Sequence, residues 1–110
     1  MLTEKSYKAD ISFSTSGDQT IISAPGDGKY LAIDQINFVV AGATNIQFKD
    51  GSTNYGGAYP LTTNQAVVLE NSYMHDHGVI TGSNNSAFKI NSSAAVQVSG
   101  FVRYRLVGGM

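Results

Sequence analysis

The chain's most reactive-looking triplet is His75-Asp76-His77. In an extended segment, residues two apart project to the same side, so both imidazoles would face one direction and offer two ligands to one metal ion. Two ligands do not hold a metal in a single chain. Repetition of the pair about a three-fold axis would complete such a site. The plainer reading of histidines in a polar loop is that both are surface residues, and no metal is assigned to them. Tyr55 and Tyr59 bracket Gly56-Gly57. Amphipathic aromatics beside flexible glycines suit stacking on sugar rings or anchoring a protein interface, and equally suit capping the open end of a core. His75, His77, Tyr55 and Tyr59, with Phe101 introduced below, are the candidate interface or ligand contacts.

Catalysis needs convergent groups, and the pattern offers few. Of eight acidic residues, Glu4 and Asp10 are the one local pair. Asp34 and Glu70 are distant residues that a fold would have to bring together for carboxylate-pair glycoside chemistry. Their plainer reading is as surface or strand-edge carboxylates. The serines lie in no GxSxG elbow, and the glycines build no GxxxxGK[ST] phosphate loop. No catalytic residue and no cofactor is assigned, and a non-enzyme is expected. Asn84-Asn85-Ser86 and Asn91-Ser92-Ser93 match the glycosylation pattern, but the chain shows no secretion signal and both are discounted.

The elements that must carry these residues alternate with period two. Ile36, Phe38 and Val40 share one face of a run, and Ile46 and Phe48 share one face of the next. Ala41-Gly42-Ala43-Thr44 between them predicts a turn, so Lys29–Asp50 reads as a central hairpin. Leu31 and Ile33 lie on the odd phase and Ile36 to Val40 on the even one, which predicts a β-bulge or bend near Asp34-Gln35. Earlier in the chain, ADISFST and QTIISA read as strands separated by Ser16-Gly17-Asp18, and Pro25-Gly26-Asp27-Gly28 is a turn. The residues STNYGGAYPLTTNQ lack periodicity, and Gly56-Gly57 and Pro60 argue against a central strand there. AVVLE, Gly78–Thr81 and Ala87–Ile90 are short strands, with a turn at Asn84-Asn85. In the closing run AAVQVSGFVRYRLV, Val96, Val98, Val102, Tyr104 and Leu106 share a face opposite Gln97, Ser99, Arg103 and Arg105. Phe101 falls on that polar face, which marks it for cover by a neighbour or a partner chain. No segment sustains helical spacing.

Residues 39–49 echo residues 79–89, with Val, Gly, Asn, Phe and Lys in register. Shared turn chemistry accounts for the echo, and both copies read as β-hairpins. The first eight residues are polar apart from Leu2 and Tyr7, and read as a flexible arm before a single domain spanning 9–110. At 110 residues the chain suits one domain with a real core. Charged residues make up only 14% and the net charge is -1, so polarity rests on Ser, Thr, Asn, Gln and Gly, and no basic stripe marks a nucleic-acid partner. Cysteine is absent, which excludes disulfides and thiolate metal sites. No run reaches transmembrane length, and MLTEKSYKAD lacks a signal-peptide core, so neither a membrane nor export is expected.

The Gly28 lead-in to Lys29–Asp50, followed by Gly51-Ser52-Thr53, Gly56-Gly57, Pro60-Leu61, AVVLE and the closing FVRYRLV, resembles a family of small β-sandwich virion proteins of tailed bacteriophages. The resemblance spans about Gly26 to Val107 and includes no catalytic motif. It implies an all-β, single-domain antiparallel sandwich of jelly-roll type. It further implies a structural protein that decorates or cements the head shell as a homotrimer, with itself and the major capsid protein or another virion protein as partners, located in the virion. The alternative is a carbohydrate- or receptor-binding module of a phage tail or fibre, with Tyr55, Tyr59 and the His75/His77 loop as its contact patch. The polar arm and the NSYMHDH segment are where this chain departs from the pattern.

Overall fold

The computed structural model describes residues 5–70 and 78–108. Among these residues ten strands run in chain order: β1 (Ser6–Phe13), β2 (Gly17–Ile22), β3 (Lys29–Val40), β4 (Thr44–Asp50), β5 (Thr53–Asn54), β6 (Tyr59–Leu61), β7 (Ala66–Glu70), β8 (Ile80–Thr81), β9 (Phe88–Ser92) and β10 (Val98–Gly108). They form two antiparallel sheets. One has the order β1-β10-β3-β7, with β8 also on β3; the other has the order β2-β9-β4-β5, with β6 also on β4. Six connections, β1–β2, β2–β3, β3–β4, β6–β7, β8–β9 and β9–β10, pass from one sheet to the other. Two facing sheets threaded in this alternating way make a jelly-roll sandwich.

The chain takes this form because both sheets turn their apolar phase inward. Ile11, Ile36, Phe38, Val40, Val98 and Val102 from the first sheet meet Ile46, Phe48, Phe88 and Ile90 from the second, all buried in one core. Phe48 is its aromatic centre, edge-on to Phe38 with centroids 6.2 Å apart and 6.0 Å from Phe88. Such offset rings add to what their burial contributes. Gly100 lets β10 lie close to β3: a methyl group there would collide with the Asn37 carbonyl and the Phe38 backbone.

The phase slip in β3 is a bulge at Asp34. Arg103 is opposite Gln35 and Tyr104 is opposite Ile33, leaving Asp34 as the extra residue. The bulge keeps Leu31 and Ile33 pointing inward despite their odd phase. It also delivers the Asp34 carboxylate to Arg105, whose Nε and Nη2 donate to Oδ2 and Oδ1 at 2.7 and 2.9 Å. Both residues are buried, so Asp34 is not the surface or edge carboxylate that its sequence context suggests.

Three further expectations are corrected. Lys29–Asp50 is not a hairpin, because β3 and β4 lie in different sheets and Ala41–Ala43 carries the chain across the sandwich. The echo at 79–89 does the same: β8 pairs with β3, whereas β9 pairs with β4. The two copies therefore meet after crossing, with Lys49 directly opposite Lys89. The flexible arm expected over residues 1–8 does not hold for its last three residues, and residues 1–4 lie outside the described residues. Ser6, Tyr7 and Lys8 belong to β1 and pair with Arg105, Tyr104 and Arg103, and Tyr7 stacks on Tyr104 with centroids 5.5 Å apart.

Candidate functional site

Four large hydrophobic side chains are exposed among the described residues: Val39, Tyr55, Tyr59 and Val68. Because β1 packs beside β2, the opposite edges of the two sheets, β7 and β5–β6, fall on the same side of the sandwich, and all four residues lie on or next to these edges. Val68 lies on β7, and Val39 lies on β3 opposite Ala66 of β7. Tyr55 and Tyr59 lie on the β5–β6 edge of the other sheet. Single exposed apolar residues need no explanation, but their gathering on one side marks a candidate interaction surface.

The β5–β6 half of this side is shaped by a deliberate irregularity. Asn54 pairs with Lys49 and Tyr59 with Ile46. Tyr55–Ala58 thus stands opposite only Gln47 and Phe48, and the edge bows outward. Gln47 holds the bow, its Nε2 donating to the carbonyls of Gly56 and Tyr55 at 3.0 and 3.3 Å. The Tyr55 N–H donates to the Phe48 carbonyl at 2.8 Å. Gly56 has φ 74°, a conformation glycine adopts without penalty. The two tyrosines thereby take different parts. Tyr59 shares the inward face with Ile46 and leans on Phe48, centroids 5.4 Å apart, closing the core while showing its outer rim. Tyr55 stands on the bow itself.

The β7 half continues onto the outer face of the first sheet. Asp10, Phe101, Asn37 and Val68 lie opposite one another across four strands, as do Ser12, Ser99, Val39 and Ala66. Phe101 is half-buried on this face and lies under the Arg103 guanidinium, 5.8 Å from the ring centroid. Its cover therefore includes a side chain of its own strand, a cation–π contact. Glu70 ends β7 and accepts a hydrogen bond from Gln35 Nε2 at 3.4 Å. Asp34 is held by Arg105 and Glu70 by Gln35, so these two carboxylates serve separate structural contacts. His75 and His77 lie outside the described residues. Among those residues, no three metal-ligating side chains converge.

At the end of the sandwich where β2–β3, β4–β5 and β8–β9 turn, polar side chains lock the loops together. Asn84 and Asn85 accept from the N–H groups of Gly28 and Gly26 at 2.7 and 2.9 Å, and Asn84 Nδ2 donates to Asp27 at 3.0 Å. Asp50 accepts from the Ser83 N–H at 3.0 Å and from the Ser83 hydroxyl. Burial pushes the Asp50 carboxyl upward, but hydrogen bonds from the Ser83 and Ser86 hydroxyls and the Ser83 N–H outweigh it and hold the group below its ordinary value. On the polar outer face of the second sheet, Asp18 is likewise lowered, first by the hydrogen bond from Asn91 (2.7 Å) and then by Lys49 (3.1 Å). Both carboxylates are committed to holding the fold.

Sequence reasoning singled out Tyr55, Tyr59 and Phe101, and missed Val39 and Val68. The signal for Val68 was hidden because Val67, Val68 and Leu69 are all apolar, so alternation does not reveal the outward residue. No helix among the described residues is long and apolar enough to cross a membrane. In comparisons with known proteins, no protein-family model and no curated protein matches the chain.

Proposed function

We propose that this jelly-roll sandwich is a non-enzymatic structural protein of a bacteriophage virion, a decoration or cement protein that binds the outside of the head shell as a homotrimer. The observation that supports this reading is the gathering of Val39, Tyr55, Tyr59 and Val68 on one side of a low-charge sandwich. The sequence resemblance supplies the virion context. Tyr55 is the natural anchor on the shell: it is an exposed aromatic on a bow that Gln47 keeps in shape, so little ordering is needed on binding. Three linked copies turn individually weak contacts into firm attachment, because each bound copy raises the effective concentration of the others.

The experiment is co-sedimentation of the purified protein with undecorated head shells, alongside its solution mass by light scattering. Saturable binding, a mass three times 11.7 kDa and loss of binding in Tyr55→Ala are the expected results. Absence of shell binding, combined with strong glycan-array binding that the same substitution removes, would replace this reading with a carbohydrate- or receptor-binding module of a tail or fibre.

A further inference from the structure

Sheet edges present unpaired backbone groups, and proteins normally blunt them with charge, proline or bulges. Three edges of this sandwich are blunted. On β1, Lys8 and Asp10 form an ion pair of 3.1 Å. On β2, the register breaks between Thr20 and Ile22. On the β5–β6 edge, Pro60 removes a donor and Tyr55–Ala58 bows away. The fourth edge, β7, reads AVVLE, with neither proline nor bulge. Among the described strands it pairs only with β3, and Val68 at its centre is 60% exposed.

We infer that β7 is a copy-to-copy contact: the β7 strands of two copies pair antiparallel about a two-fold axis through Val68, joining their β1-β10-β3-β7 sheets into one. The inference rests on reading this side of the molecule as an association surface. The ladder itself selects the register. Val40 donates to the Gln65 carbonyl and accepts from the Asn64 N–H, so Val40, Phe38 and Ile36 turn their backbone groups toward β7. In an antiparallel ladder, their partners Val67 and Leu69 then point inward, leaving the N–H and C=O of Ala66, Val68 and Glu70 directed at the open edge. A two-fold through Val68 pairs Val68 with its copy and Ala66 with Glu70, so every outward group finds a partner. A two-fold through Glu70 would place like charges opposite each other. One through Ala66 would reach into the turn at Asn64, whose φ is 62°.

The chosen register also makes the outer face continuous. The row Asp10, Phe101, Asn37, Val68 runs into its copy, bringing the two exposed valines together. A five-residue edge buries well under the area of about 1,200 Å² typical of stable complexes, so pairing is concentration-dependent in solution. A surface lattice supplies the missing concentration. Two-fold contacts through β7 would then link neighbouring trimers, while a different surface forms the trimer itself, since a two-fold contact is self-complementary and a three-fold one is not.

Because the chain has no cysteine, single substitutions read the register directly with a short bifunctional thiol reagent. Val68→Cys alone should crosslink to itself. Ala66→Cys and Glu70→Cys should crosslink efficiently only when mixed. Val68→Pro removes an N–H that the ladder does not use, so it should abolish the concentration-dependent rise in mass while preserving the circular dichroism spectrum. Val68→Lys should do the same if the proline variant does not fold. Equal crosslinking at all three positions, none at millimolar protein, or an undiminished mass rise in both Val68 variants would overturn the inference. Register-specific crosslinks without shell binding would retire the virion reading and leave the contact standing; shell binding without them would do the reverse.

Discussion

Arg105→Gln offers a sharp test of the reasoning about β3. The Asp34–Arg105 pair is bidentate, with N–O distances of 2.7 and 2.9 Å, and the two residues are only 9% and 5% exposed. Removing the guanidinium takes both charge-assisted hydrogen bonds from a buried carboxylate, a change that costs about 3–5 kcal/mol. A domain this size has a total stability of about 5–15 kcal/mol, so the loss is a large share of it. With a urea dependence of about 1–3 kcal/mol per molar, the unfolding midpoint should fall by at least about 1 M. The chain has no tryptophan, so circular dichroism is the natural probe. Asp34→Asn should cost a similar amount. The double variant should be less destabilised than the sum of the two, by at least about 2 kcal/mol, because both changes remove the same ion pair. Two single variants each within about 1 kcal/mol of wild type, with additive effects, would refute the claim that the bulge exists to deliver Asp34 to a buried partner.

Three further outcomes follow from other contacts. Asn85→Ala should cost about 2 kcal/mol in equilibrium unfolding, since it forfeits the hydrogen bond from Gly26 and places alanine at φ 50°. Tyr59→Ala should destabilise the fold by about 2 kcal/mol, because its ring leans on Phe48, whereas Tyr55→Ala should change the melting temperature little; equal effects would contradict their different placement. Asp50 is held below its ordinary value of 3.8 in the folded chain. Its contribution is therefore whole above about pH 4 and fades as pH falls through the lower folded value. Asp50→Asn should accordingly lose less stability than wild type between about pH 5 and pH 2, measured by urea titration at each pH.

The strands were legible because alternation reports which side chains face the core. The bulge was legible for the same reason: Leu31 and Ile33 share the inside with Ile36 only if one residue between them is extra. What alternation does not report is which sheet a strand joins. Both sheets face the same core, so β4 shows the same inward pattern whether it folds back on β3 or crosses to the opposite layer. That is why Lys29–Asp50 reads as a hairpin and is a crossover. Asn84-Asn85 was visible as a turn, but its partners Gly26 and Gly28 lie far away in sequence and carry no local mark of the contact. Of the candidate surface, the tyrosines were readable from their glycine-rich setting. Val68 became distinct from its apolar neighbours only once β7 was placed at an edge.

The position of β10 also bears on how the protein comes to exist. In the first sheet, the last strand of the chain lies between β1 and β3, so the earliest strand has no neighbour in its sheet until residues 98–108 have been made. Until then β3 can pair with β7 and β8, but β1 has no strand to pair with in its sheet. Folding of this kind is governed by non-local pairing and runs on a timescale of about milliseconds to seconds. A truncation before Val98 would thus remove the strand that joins β1 to β3 while keeping the AVVLE strand. β10 is the strand that completes the first sheet.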